Sequence, residues 1–307
     1  MNPFFEFAQI MFVGFVLALL LVTASTARRL RRPPRKTYGS AVARNLPGDP
    51  SELDSPRDFE PSRATIDGFD LALWDLPGDN PDGPVAILWP GWGDSRIGAL
   101  ARLEPFLSRT SRLVLVDPPG HGESSGLCFM GTREPRVLDA LIREATSDTE
   151  RGRGVILYGW SMGAGVAIAC AAQDEENTLN IRCVIGEAPY RLAPTPAKNV
   201  MRQARMPWTL NGPLAFWFMG LRLGVGPTWR GFDRAEHASH LCVPLLIVHG
   251  ESDAVCPLDD GRAIAARAPD GRLEAIPGGG HNDLWRESAH RARTIESIGA
   301  FLDTHVR

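Results

Sequence analysis

The sequence predicts an α/β fold: a mostly parallel central sheet with helices on both faces, preceded by one N-terminal transmembrane helix. Three observations carry this. Short apolar runs alternate with longer amphipathic stretches, a Gly-x-Ser-x-Gly segment joins one such run to the next stretch, and residues 7–27 are almost wholly apolar. The 307 residues are 44% hydrophobic and 22% charged, which suits a buried core and excludes disordered and collagen-like classes.

The first element is the apolar run from Phe7 to Ala27, interrupted only by Gln9, Thr23, Ser25 and Thr26. About 20 such residues, at a rise of about 1.5 Å each, cross a hydrocarbon core of about 30 Å. A cleaved signal peptide is the alternative, with small residues at Ser25-Thr26-Ala27 for a peptidase. Charge favours a retained anchor: Glu6 precedes the run, while Arg28, Arg29, Arg31, Arg32, Arg35 and Lys36 follow it. The positive-inside rule then puts the following chain in the cytoplasm. Residues 1–32 read as an anchor with its basic flank, 33–63 as a Pro-, Asp- and Ser-rich linker of modest order, and 64–307 as the body.

Residues 1–40 carry a net charge of +5 and the remainder −8. An acidic body with a basic collar argues against a nucleic-acid enzyme. Arginine outnumbers lysine 31 to two, a chain-wide bias that gives no single arginine special weight. The five cysteines are scattered without a Cys-x-x-Cys pair, so free buried thiols in a reducing compartment are expected, and neither disulfides nor zinc.

In the body, Val85–Trp89, Leu113–Asp117, Val155–Tyr158, Cys183–Gly186, Val243–Val248 and Arg272–Ile276 read as strands. Ile97–Arg109, Pro135–Thr146, Met162–Gln173 and Leu258–Ala266 have helical periodicity. The alternation breaks from Arg191 to about His240, a stretch holding Trp208, Phe216, Trp217, Phe218 and Trp229. Ordinary helix packing accounts for most of these side chains; a lid over a pocket is the functional reading.

Gly159-Trp160-Ser161-Met162-Gly163 lies between a predicted strand and a predicted helix. Such a turn is tight and strained, and it exposes the serine hydroxyl at the strand's carboxyl end beside a helix N-terminus. A serine hydroxyl needs a base, and the base needs an orienting carboxylate. Downstream, His281 sits in the flexible Gly278-Gly279-Gly280-His281-Asn282-Asp283 loop, whereas His249 ends a buried strand, His290 falls in a helical stretch and His305 lies near the last residues. His281 is therefore the expected base, and Asp253, just past the strand Val243–Val248, the expected acid, with Glu251 as its competitor. The backbone amides of Met162 and Trp92 are the expected oxyanion donors, the latter from the loop Pro90-Gly91-Trp92-Gly93-Asp94-Ser95. The segment Asp117–Gly126, with His121, reads as structural: its glycines turn the chain, and Asp117 and Ser124 satisfy loop amides.

Taken in order, Pro90–Ser95, Asp117–Gly126, Gly159–Ala164 and the Asp253 and His281 loops resemble those of the α/β-hydrolase fold. Gly-Trp-Ser-Met-Gly-Ala, Glu187-Ala188-Pro189-Tyr190 and the single N-terminal helix are similar to membrane-anchored α/β-hydrolase-domain proteins near the serine aminopeptidase-like and monoacylglycerol-lipase-like branches. Pro90 departs from the histidine usual there, and Ala164 from a common third glycine. The resemblance implies a small helical cap at about 191–240 and a serine hydrolase acting on a carboxylic ester or thioester through an acyl-enzyme, without metal or cofactor. Anchor and aromatic cap together suggest a lipid-like acyl substrate. A peptidase or amidase uses the same residues, and a silent membrane-tethered scaffold is the non-enzymatic alternative.

Overall fold

The computed structural model describes residues 3–306 apart from 204, 206, 207 and 230, which fall within the expected cap interval. In chain order, α1 (Pro3–Leu30) and the short α2 (Tyr38–Val42) precede β1 (Glu60–Ile66), β2 (Phe69–Pro77) and β3 (Val85–Trp89). Helices α3 (Arg96–Ala99) and α4 (Glu104–Leu107) lead to β4 (Arg112–Val116), and α5 (Glu134–Ala145) with α6 (Asp148–Arg153) leads to β5 (Val155–Trp160). After α7 (Met162–Gln173) and β6 (Ile181–Glu187) come α8 (Pro194–Gln203), α9 (Trp208–Arg222) and α10 (Arg234–Ser239). Then follow β7 (Leu245–Gly250), α11 (Leu258–Arg267), β8 (Gly271–Ile276) and α12 (Ser288–His305).

The strands form one sheet in the order β1-β2-β4-β3-β5-β6-β7-β8. From β4 to β8 every neighbouring pair is parallel, while β1/β2 and β2/β4 are antiparallel. The six expected strands lie where apolar runs placed them. The β1–β2 hairpin was not among them: its two-residue turn is Asp67-Gly68, both at positive φ, between the paired Ile66 and Phe69. That dipeptide is a strong hairpin signal, because both turn positions need a left-handed backbone. The expected helix Ile97–Arg109 is instead α3, a 3-10 turn at Leu100–Arg102, and α4. Pro105 lacks an N–H to continue a helix from upstream, so a new helix starts at Glu104 with Pro105 in its first turn, where no such bond is needed.

Alternate side chains of the buried strands enter two separate cores. Ile87, Val114, Leu157 and Ile247 pack on one face with Leu138 of α5, Val166 of α7 and Ile264 of α11. Leu88, Leu115, Tyr158 and Val248 pack on the other with Phe106 of α4 and Phe301 of α12. Burial on both faces is what continuous apolar strands require. A third cluster, with Phe216 and Met219 of α9, Trp229 and Tyr190, joins α8 and α9 to Met162 and to Ala27 of α1.

Helix α1 is exposed over most of its length, with only Thr23 and Ala27 buried. It is long and apolar enough to cross a membrane. Its last turns are fastened to the body: Asn211 Nδ2 donates to Thr26 Oγ1 at 2.7 Å, and the Trp92 indole donates to the Leu30 carbonyl at 2.8 Å. The segment expected as a loose linker is also tied down. Arg35 donates to the carbonyls of Gly122 and Ser124, each at 2.9 Å, and Lys36 pairs with Asp94 at 2.8 Å. β1 begins at Glu60, within that segment.

Candidate active site

Ser161 is the residue between β5 and α7, with φ 53° and ψ −117°. A non-glycine residue at such angles costs on the order of 1–3 kcal/mol and persists only where its surroundings hold it. The flanking glycines show what does so. A Cβ on Gly159 would lie 2.3 Å from the Gly163 carbonyl oxygen, and one on Gly163 would lie 2.1 Å from that of Trp89. Strand, turn and helix thus meet backbone to backbone, and the Ser161 amide donates to the Glu187 carbonyl at 2.8 Å.

The Ser161 hydroxyl lies 3.2 Å from His281 Nε2, and His281 Nδ1 lies 2.7 Å from Asp253 Oδ2. A carboxylate only accepts, so the imidazole proton sits on Nδ1 and Nε2 is free to accept from the serine. Asp253 follows β7 with its side chain fully buried, and His281 follows β8 with its ring nearly so. The amides of Val255 and Cys256 donate to Asp253 Oδ1, each at 2.8 Å. Burial alone would raise the Asp253 pKa; hydrogen bonds from His249, His281 and the Cys256 amide outweigh it and hold the carboxyl well below its usual range.

The other expected residues fall as follows. Met162 is the first residue of α7 and is buried; a helix's first-turn amides have no acceptor within the helix. The loop carrying Trp92 lies against the serine, since a Cβ on Gly91 would lie 3.0 Å from Ser161 Cβ. The Trp92 indole turns away, toward Leu30. Glu251 is exposed, its amide bound to the Ile276 carbonyl, and forms no part of the series. Asp117 is buried and accepts from the amides of Arg96 (2.7 Å) and Glu123 (2.8 Å), while Ser124 Oγ accepts from the Ala72 amide, the structural duty read for that loop. His121 is fully buried against the Pro119 carbonyl.

Two contributors were not expected. His249, read as purely structural, is fully buried and lies 3.4 Å from Asp253 Oδ2, with Nε2 also 2.9 Å from the Cys256 carbonyl. Its place at the end of β7, four residues before the acid, was the available signal. Glu187 at the end of β6 forms a buried base beneath the turn. Arg102 holds it with two bonds of 2.7 and 3.0 Å, Trp285 Nε1 donates to it at 2.7 Å, and the Tyr158 hydroxyl donates as well. Burial opposes the Arg102 charge, yet Glu187 beside it holds the guanidinium more firmly protonated than usual. That guanidinium also sits 4.2 Å over the Trp160 ring, bracing the residue before the serine.

A mainly apolar cavity of about 700 Å³ opens above Ser161 and His281. Gly91 and Trp92, Tyr190, Ala197 and Met201 of α8, and Val22, Thr26 and Leu30 of α1 contribute to its walls. A larger groove of about 880 Å³ between β8 and α12 holds none of the expected site residues. Two side-chain groups have metal-ligand spacing among the described residues: Asp253, Cys256 and His281, and Asp283, Glu287 and His290. In the first, burial pushes the Cys256 thiol well up, so it stays protonated and is a poor ligand.

Residues 86–296 match the family described as "Alpha/beta hydrolase family". The chain belongs to that family. It is 26% identical over 256 residues to the pimeloyl-[acyl-carrier protein] methyl ester esterase of Xanthomonas campestris pv. campestris, covering 72% of this chain and 95% of that protein. It is 30% identical over 159 residues to the human protein ABHD12B, covering 48% of this chain but only 39% of the relative's length. Among solved structures, the Pyrococcus furiosus esterase PF2001 superposes with a TM-score of 0.69 at 18% identity, over 91% of this chain and 99% of that one, a likeness of fold.

Proposed function

We propose that this protein is a serine hydrolase that cleaves a carboxylic ester or thioester by an acyl-enzyme route. The observation that carries the reading is the hydrogen-bonded series Ser161–His281–Asp253 at the floor of an apolar cavity. Ser161 Oγ attacks the acyl carbon while His281 Nε2 takes its proton, and Asp253 stabilises the imidazolium. The amides of Trp92 and Met162 bind the oxyanion. The tetrahedral intermediate collapses, His281 returns the proton to the leaving alcohol or thiol, and water repeats the cycle to release the acid. Each oxyanion donor contributes on the order of 10²–10³ in rate in comparable sites.

The esterase relative, matched over nearly its whole length, supports an acyl substrate, and the apolar walls favour a chain over a polar group. In this reading residues 1–32 are a retained single-pass anchor, 33–63 a connecting segment, and 64–307 a hydrolase domain capped by about 191–240. The arginines after α1 support placing that domain in the cytoplasm. The test is intact-mass labelling of the full chain in detergent with a fluorophosphonate, beside Ser161→Ala and His281→Ala. One adduct on the wild type, and none on either variant at matched folding, is the expected result. A folded wild type that takes no label overturns the reading, and an ester-against-anilide series then separates esterase from amidase.

A further inference from the structure

Helix α9 is apolar around its whole circumference, yet only half of it is covered. Ala215, Phe216 and Met219 are buried in the cap cluster, while Leu214 (37%), Trp217 (48%), Phe218 (47%) and Leu221 (49%) stand exposed at successive turns of the opposite side. A helix apolar on all sides belongs in an apolar environment, and water is not one.

Its placement says which environment. Helix α1 has 28 residues, a length of about 42 Å, against about 30 Å of hydrocarbon. The apolar run Phe7–Ala27 alone fills that thickness, so the hydrocarbon's edge on the body's side lies near Ala27 and the arginines follow it. The last turn before that edge is where α9 begins: Asn211, in the first turn of α9, bonds Thr26 and approaches the Val22 carbonyl at 3.5 Å. At the other end of α9, Arg222 is close enough to Arg31 to lower its pKa by charge repulsion, after burial, the larger cause. The two helices therefore run side by side in the same direction. The apolar face of α9 starts level with the end of the hydrocarbon and finishes in arginines, the order of chemistry met on passing from acyl chains to anionic headgroups.

We propose that the outer face of α9 is a bilayer-docking surface, seated beside α1 in the leaflet of an anionic lipid membrane. The proposal rests on α1 being a retained spanning anchor. It also deepens the hydrolase reading. Val22, Thr26 and Leu30 wall the cavity at the same level, so docking sets the cavity mouth at the lipid interface and the acyl substrate arrives from the leaflet instead of from water. Trp217 would occupy the interfacial zone where indole rings are favoured.

The test uses the full chain in phosphatidylcholine–phosphatidylglycerol vesicles, with a short water-soluble ester, a long-chain ester dissolved in the bilayer, and bromine-labelled acyl chains as a fluorescence quencher. Trp217→Ser with Phe218→Ser, neither side chain lining the cavity, is expected to leave the soluble ester within about twofold. It is expected to slow the bilayer ester about tenfold. Trp217→Phe is expected to remove part of the quenching seen in the wild type. Unchanged bilayer hydrolysis and unchanged quenching, in a chain that resists alkaline extraction and hydrolyses the soluble ester, overturn the docking surface alone. Extraction by alkali overturns the anchor, and wild-type inactivity on both esters overturns the hydrolase. A dimer in detergent that the double variant dissociates overturns the bilayer as occupant, assigning the face to a second copy.

Discussion

Asp253 receives two imidazoles, and only one of them reaches the serine. His281 touches Ser161, whereas His249 lies entirely within the protein with its Nε2 facing the carboxylate and a carbonyl. Its Nε2 must carry a proton, because the Cys256 carbonyl can only accept, and that proton also leans on Asp253 Oδ2. His249 is therefore a positioning residue acting through the acid. His249→Ala is expected to lower kcat about tenfold with KM little changed, and His249→Gln, which keeps a donor, to recover most of the loss. Steady-state kinetics on one soluble ester decide it: equal loss in both variants would mean the ring matters only for packing. At this scale the sequence nominates residues where chemistry demands a type, Ser161, Asp253 and His281, and the fold brings these three within hydrogen-bond distance. Glu187 was not legible, because its partners Arg102, Tyr158 and Trp285 come from elements far apart in the chain, while for His249 the one signal was its place four residues before the acid.

Secondary-structure elements were read well where both faces are buried and poorly where one is not. β3 to β7 announce themselves as largely apolar runs, whereas β8, at the sheet edge, alternates Arg272 and Glu274 with apolar residues, and β1 and β2 mix charged and apolar residues, their signal being the Asp67-Gly68 turn. The larger gap concerns α1, read from sequence as a tether alone. Its last turns form part of the cavity wall, a fact no periodicity could disclose because the partner helix α9 lies far along the chain. A chain lacking residues 1–30 is expected to keep its hydrolysis of a short ester within a few-fold while its KM for a long-chain ester rises about tenfold. A p-nitrophenyl chain-length series on both forms measures this. Parallel changes at every length would show that the helix supports the fold and does not shape the cavity.

For the molecule as a whole, buried histidines tie folding to acidity. Burial, partly offset by the Pro119 carbonyl, pushes His121 down to about 4 from an ordinary 6.5, and burial with the charge of Arg234 does the same to His237. The unfolded chain takes up these protons below about pH 6.5, while the folded chain resists until about pH 4. Stability is therefore fully present above about pH 6.5 and declines as pH falls toward 4, with His121 alone contributing a loss of about 2 kcal/mol by about pH 5. The melting temperature in detergent should fall between about pH 7 and pH 5, and His121→Gln should fall less; identical slopes would remove His121 as a cause. The global architecture was readable because alternating strands and helices admit few topologies. The way α1 and α8 share the walls of the cavity was not, since it depends on surfaces that meet only in the finished fold.

The bond between Asn211 and Thr26 has a consequence for how this chain can vary. A helix selected only for apolar length is free to drift, whereas one that accepts a hydrogen bond from a residue 185 positions away is not. Substitutions at Thr26 and Asn211 should thus be inherited as a pair among descendants of this sequence. For the same reason, a borrowed spanning helix of equal length would hold the enzyme at the membrane and still leave it with a misfitted catalytic chamber.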